Sequence, residues 1–217
     1  MNRIFTTFLL ISLLIEAKAQ KLLSEGSIVY DVTVQTNDAA PGMADAFDGA
    51  IASVFIKGNL SRSEIRTALG NSATIFDSRT GNGVVLREFG AQKLLIRLNK
   101  ANWADKNKRY EGITFTRMPE KKVIAGYNCS RAIARMKDGT TFTVFFTEEI
   151  QSENKDYDAQ FRDLPGIPLE FESVSGKLVI RYVASKISFD PIPVQRFDIP
   201  RSGYREMTYE EGLKSIR

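Results

Sequence analysis

The chain has 217 residues, with 30 Lys and Arg against 26 Asp and Glu, a single cysteine and no histidine. Without histidine it lacks the commonest general base, metal ligand and pH switch, and one cysteine excludes both an intramolecular disulfide and a cysteine-rich zinc site. A net charge of +4, spread along the chain rather than clustered, argues against nucleic acid as a partner, because phosphate binding needs a concentrated basic surface.

The first element is a signal. Residues 1–3 form a short basic start, residues 4–15 an apolar run, and Ala17, Lys18 and Ala19 fit the small-x-small cleavage rule. The run is too short for the ~20 residues that span a bilayer. A cleavable signal peptide over 1–19 is therefore expected, with Gln20 as the first mature residue. Cleavage takes away Arg3, Glu16 and Lys18 and brings the net charge to +3. Position 20 is Gln, not Cys, so no thiol follows the cut for bacterial lipid attachment. The expected location is the periplasm or the exterior, and the expected mature chain is one domain over 20–217, with its core at 26–204 and a tail at 205–217.

From there the dominant period is two. Alternation runs through residues 27–35, 51–57, 62–67, 73–78, 84–89, 93–98, 112–118, 131–136, 141–147, 167–174 and 177–189. Turn residues separate these runs at 80–83, Gly90, Pro119 with Glu120, Asp138 with Gly139, and Ser175 with Gly176. The pattern predicts one mainly β domain, a single antiparallel sheet of about ten strands. Helical signals are sparse. Residues 42–50 and 148–162 read as loop or short helix, 100–110 as a polar linker with one helical turn, and 207–217 as a helical tail interrupted by Gly212.

Two hairpins fix a register. With Ser175 and Gly176 as the loop, Phe171 would face Ile180, Leu169 would face Tyr182, and Glu170 would lie opposite Arg181. At Asp138, a three-residue loop of Lys137, Asp138 and Gly139 aligns Ala134 with Phe142 and Ala132 with Val144, with Gly139 in the left-handed region. Small residues facing Phe142 and Phe146 leave volume for a helix or a ligand to fill.

Few residues suggest chemistry. Cys129 lacks a histidine or second cysteine to activate it and reads as a buried core residue. Leu164, Pro165, Gly166, Ile167 and Pro168 read as a turn into a strand. Glu170 and Glu172 share a face, but Arg181 supplies the first with an ion pair. Glu148, Glu149, Asp156 and Asp158 lack calcium-loop spacing, and no helix follows Gly81, Asn82 and Gly83 to make a phosphate loop. No catalytic residue, metal site or cofactor is expected. The candidate ligand-binding residues are Phe142, Phe146, Phe171 and Tyr182, which alternation places on inner strand faces.

Four stretches carry a family resemblance: residues 56–65 (IKGNLSRSEI), 123–132 (VIAGYNCSRA), 161–170 (FRDLPGIPLE) and 197–204 (FDIPRSGY). Together they resemble exported proteins grouped around the GLPGLI family, and more closely a sister family of unknown function related to the LolA-like lipoprotein-carrier fold. The strict Gly-Leu-Pro-Gly-Leu-Ile text is replaced here by Asp163 through Pro168. The resemblance implies a Gram-negative envelope protein whose sheet curves into an open half-barrel, with short helices or loops on the concave face. It implies no catalytic residues. The function so expected is non-enzymatic binding of an apolar ligand or lipid-modified partner; the alternative is an envelope structural or protein-interaction module without a small-molecule ligand.

Overall fold

A computed structural model describes residues 20–34, 45, 47–175 and 178–214. The expected signal peptide lies outside the described residues, as do residues 42–44 and 46 of the 42–50 stretch.

Among the described residues the period-two pattern and the segments beside it make fourteen strands. They are β1 (Lys21–Leu23), β2 (Glu25–Val34), β3 (Ile51–Lys57), β4 (Leu60–Thr67), β5 (Gly70–Asp77), β6 (Asn82–Phe89) and β7 (Gln92–Leu98). After them come β8 (Thr114–Ile124), β9 (Tyr127–Arg135), β10 (Thr141–Thr147), β11 (Ile150–Ser152), β12 (Ile167–Ser175), β13 (Leu178–Ser188) and β14 (Arg205–Met207). Twelve form one sheet in the order β14-β7-β6-β5-β4-β3-β2-β13-β12-β10-β9-β8, antiparallel except for the β14–β7 pair. It does not close into a barrel, since β14 and β8 are its two edges. The remaining β1 and β11 pair in parallel, with Leu23 and Ile150 buried among Ile28, Ile56, Ile167 and Leu169. No helix of the described residues is long and apolar enough to cross a membrane.

The strand count exceeds the expected ten chiefly through β1, β11 and β14, which are three residues each, too short to show a period. One expected strand is also longer than foreseen. Pro119 was expected to end it, but β8 runs through it, and its register against β9 shifts between Arg117 and Lys121. An edge strand tolerates a proline because its outward N–H has no partner to lose.

The register at Asp138 is the expected one: Phe142 pairs with Ala134 and Val144 with Ala132, and Gly139 has φ 86°. The β12–β13 hairpin differs. Phe171 pairs with Tyr182, Ser173 with Ile180 and Glu172 with Arg181, because Ser175 already pairs with Leu178 and the loop falls one residue later than expected. Moving a loop by one residue moves each partner by two, which keeps every side chain on its expected face. Glu170 still holds Arg181, now diagonally, at 2.8 Å, and it also takes Lys122 at 2.6 Å.

Both faces of the β3–β7 region are covered. The register puts Ala52, Val54, Ser63, Ile65, Ser72, Thr74, Val85, Arg87 and Ile96 on one face, called here the inner face. Over the opposite face, Ile192 and Phe197 pack onto Ile75, Val84, Leu86 and Leu95. Three pieces cover the inner face. The first is helix α1 (Lys100–Asn107), longer than the single turn expected. Asn99 and Asn102 close a reciprocal capping box at its start, and Trp103 stacks on Phe76 with ring centroids 3.8 Å apart. Helix α2 (Tyr209–Lys214) is the second, resting Gly212 on Ile96 of β7. The third is residues 155–164, in which two 3₁₀ turns, Lys155–Tyr157 and Ala159–Phe161, follow side-chain caps from Asn154 and Asp158.

Gly166 joins this third piece to β12. A Cβ there would lie 2.0 Å from the Thr147 carbonyl oxygen, a contact with backbone that cannot give way. Gly166→Ala is therefore expected to destabilise the protein by at least ~1–3 kcal/mol. Urea denaturation checks this, and an unchanged midpoint would contradict it.

Candidate functional site

The site is built where residues 155–164 lie over the inner face. Phe161 of the second 3₁₀ turn sets its ring edge-on to Phe142 (6.4 Å) and to Phe171 (4.8 Å). Phe171 in turn stacks on Tyr182 at 4.7 Å and meets Tyr30 edge-on at 5.5 Å. The volume left by Ala132 and Ala134 is thus filled by the chain itself, through Phe161 and Leu164.

This divides the four sequence candidates. Phe142 and Phe146 are buried in one cluster with Phe161 and Leu164, and the hollow that Phe142 lines, about 10 Å³, is too small for a ligand. Phe171 and Tyr182 remain half-buried and line a central cavity of about 260 Å³. Its apolar wall is completed by Ala52, Val54 and Ile65. Its polar wall comes from Ser63, Ser72 and Thr74 on the sheet and from Asp158 and Gln160 on the covering segment.

Asp158 is the chemically distinctive group. Its carboxylate accepts the Gln160 N–H at 3.0 Å and borders the cavity while surrounded by protein. Burial pushes its pKa up to about 6, against the opposing pull of the Gln160 N–H and of the Lys106 charge. The same surroundings hold the neighbouring phenols neutral: burial raises Tyr30 and Tyr157 far above the ordinary tyrosine value and Tyr182 to about 12. Tyr30 donates to the Pro168 carbonyl at 2.9 Å, which ties the covering segment's exit strand to β2. Asp156, two residues away, points elsewhere and pairs with Arg162 at 2.7 Å, so the two aspartates do not converge as a cation site. Among the described residues no three Cys, Asp or Glu side chains gather in a group able to hold a metal.

A second cavity of about 300 Å³ adjoins on the same face, between β6, β7, α1 and α2. Val85, Ile96, Leu98 and Leu213 make it mainly apolar, and Arg87 and Lys106 bring two cations to its wall. Arg87 pairs in register with Ser72, which lines the central cavity, so the two hollows are neighbours. A larger hollow, about 410 Å³, lies between α1 and residues 156–163. Its wall carries Lys100, Glu111 and Asp163 and the partly exposed Arg162–Asp156 pair, which makes it a polar surface cleft.

Cys129 takes no part. It is buried on the opposite face of β9, and burial raises its thiol to about 11, which keeps it protonated and unreactive at neutral pH. Sequence reasoning did not single out Arg87, Lys106 or Gln160, and it considered Asp158 only as a calcium ligand. The two cations sit in runs that read as solvated polar positions, and the other two in a stretch with no period.

Fold and site together define an open, mainly β sheet with two adjoining hollows, of about 260 and 300 Å³, under its covering segments. No family model matches the chain, and no curated protein does. Solved structures similar to it include an uncharacterised conserved protein from Thermus thermophilus, at 10% identity and a TM-score of 0.48 over 86% of this chain and 91% of that one. MucB aligns at 11% identity and 0.42, over 85% and 60%, and PNGF-II at 10% and 0.47, over 87% and 33%. The chain spans about a third of the length of PNGF-II. At these scores the likenesses carry no argument about function.

Proposed function

We propose that the protein is an exported envelope protein that binds the apolar part of a ligand, or of a lipid-modified partner, within a half-barrel, and that it catalyses no reaction. The observation that carries the reading is the central cavity under residues 155–164. It is lined by Thr74 of β5 and by Phe171 of β12, strands that stand five places apart in the sheet. At ~4.8 Å per strand a flat sheet would hold them about 24 Å apart. Their meeting around one small hollow supports a sheet curved over its inner face, which the carrier-fold resemblance also implies. The two cavities lie near or below the lower end of the ~300–1,000 Å³ usual for ligand sites, which suits one chain or a short tail rather than a bulky molecule.

The alternative, a module that adds partners at its sheet edges, is less well supported. The β8 edge carries Pro119, Lys121 and Lys122, residue types that discourage strand addition. Mass spectrometry of an organic extract of the protein, purified from its source without detergent, tests the reading. A stoichiometric molecule with a single aliphatic chain is expected. Protein that arrives empty and takes up no such compound when one is offered would refute it.

A further inference from the structure

Arg87 is an anomaly among the cations of this chain. Arg62, Lys122, Arg131 and Arg181 each hold a carboxylate within 2.8 Å. Arg87 is half-buried on the inner face, and among the described residues its guanidinium makes no hydrogen bond and no ion pair. Lys106 reaches the same cavity from α1. Its ammonium lies 5.4 Å from the Trp103 ring centre, and it too pairs with no carboxylate among the described residues. Arg87, half-buried, bears a desolvation cost, Lys106 is exposed on α1, and neither pairs with Asp105, the carboxylate on the same wall. Burial disfavours the charged form of each, and the charge of Arg87 adds to that effect on Lys106.

The carboxylates nearby relieve this only in part. Asp105, on the same wall, is exposed and accepts the Tyr209 hydroxyl at 2.9 Å. Asp158 faces the adjoining central cavity, and its pull on Lys106 is weaker than the cost of burial. The rest of the lining is mainly aliphatic, with Val85, Ile96, Leu98 and Leu213 beside Tyr209 and Asp105. Two cations beside an aliphatic lining are complementary to one kind of molecule.

We infer that the cavity between β6, β7, α1 and α2 takes a single acyl chain with an anionic head group, the head between Arg87 and Lys106 and the chain among Val85, Ile96, Leu98 and Leu213. This rests on the reading of the inner face as a binding site for apolar chains and adds the charge of the ligand and the residues that read it. A carboxylate and a phosphate monoester offer the same chemistry to the two cations.

Calorimetric titration of the full chain with laurate, dodecyl phosphate and dodecanol tests it. At least one of the anions is expected to bind about tenfold or more tighter than the alcohol. Arg87→Gln is expected to erase that preference by weakening the preferred anion, and the identity of that anion gives the head group. Lys106→Gln, on the exposed side of α1, is expected to reduce the preference and gives the same readout if the Arg87 variant folds poorly. Equal affinity for all three compounds, or a preference that survives both substitutions, would overturn the inference and leave the apolar-chain reading standing. Failure of all three to bind would overturn both.

Discussion

Replacing Phe161 with alanine is expected to cost about 3–5 kcal/mol of folding stability, the usual range for deleting a buried aromatic ring. The ring is 4% exposed and sits between Phe142 and Phe171, so its removal leaves a void that neither rigid neighbour can fill. The loss is not confined to that void. Phe161 anchors residues 155–164 to the sheet, and that segment supplies Asp158 and Gln160 to the central cavity. Phe161→Ala should therefore loosen the cover as well as the core. Urea denaturation gives the first effect and faster amide hydrogen exchange over 155–164 the second. Phe161→Leu, which keeps most of the volume, should recover much of the stability. A loss below ~1 kcal/mol for the alanine variant would mean that the segment is held by other contacts.

The second large effect depends on pH. Asp158 has a folded pKa of about 6, above the ordinary aspartate value near 4. The folded state thus holds the proton more tightly than the unfolded state between those values. Below pH ~4 both states are protonated and the group costs nothing. As pH rises from ~4 through ~6, the folded state must either keep a proton the solvent no longer supplies or bury a charge, so stability falls. Asp158→Asn retains an oxygen for the Gln160 N–H and cannot ionise. It is expected to be more stable than the parent by up to about 3 kcal/mol at pH 8 and no more stable at pH 4. Denaturation midpoints at the two pH values check the sign. An equal difference at both would mean that Asp158 is not held in a desolvated place.

How far the sequence discloses this arrangement depends on what kind of signal each part leaves. Strand faces leave a period: alternation puts Phe171 and Tyr182 on one face, and both line the central cavity. The turn at Gly139 leaves a register, because only a three-residue loop sets Ala134 against Phe142. The turn after Ser175 leaves less, since moving it by one residue alters every partner and no face. Phe142 and Phe146 were indistinguishable from Phe171 by alternation alone. What separates them is the cover provided by Phe161 and Leu164, a contact between residues far apart in a stretch without period. Helix α1 was foreseen as a single turn because its residues are polar all round. Its stability comes from the Asn99 and Asn102 cap and from one ring stacked on Phe76. Arg87 illustrates the remaining gap. In an alternating strand a charged residue reads as solvent-facing, and only the helices folded over β6 and β7 make it a half-buried cation on a cavity wall.

The central claim, that ligand is held on the inner face, can be tested with neighbouring methyl groups. Val85 and Ile96 line the cavity, whereas Val84 and Leu95 are the adjacent residues on the opposite face. Methyl NMR of the full chain titrated with laurate and with dodecanol reads both faces at once. Saturable shifts at Val54, Ile65, Val85 and Ile96, with Ile75, Val84 and Leu95 unmoved, are the result expected. Shifts confined to the opposite face, or none with either compound, would contradict the account.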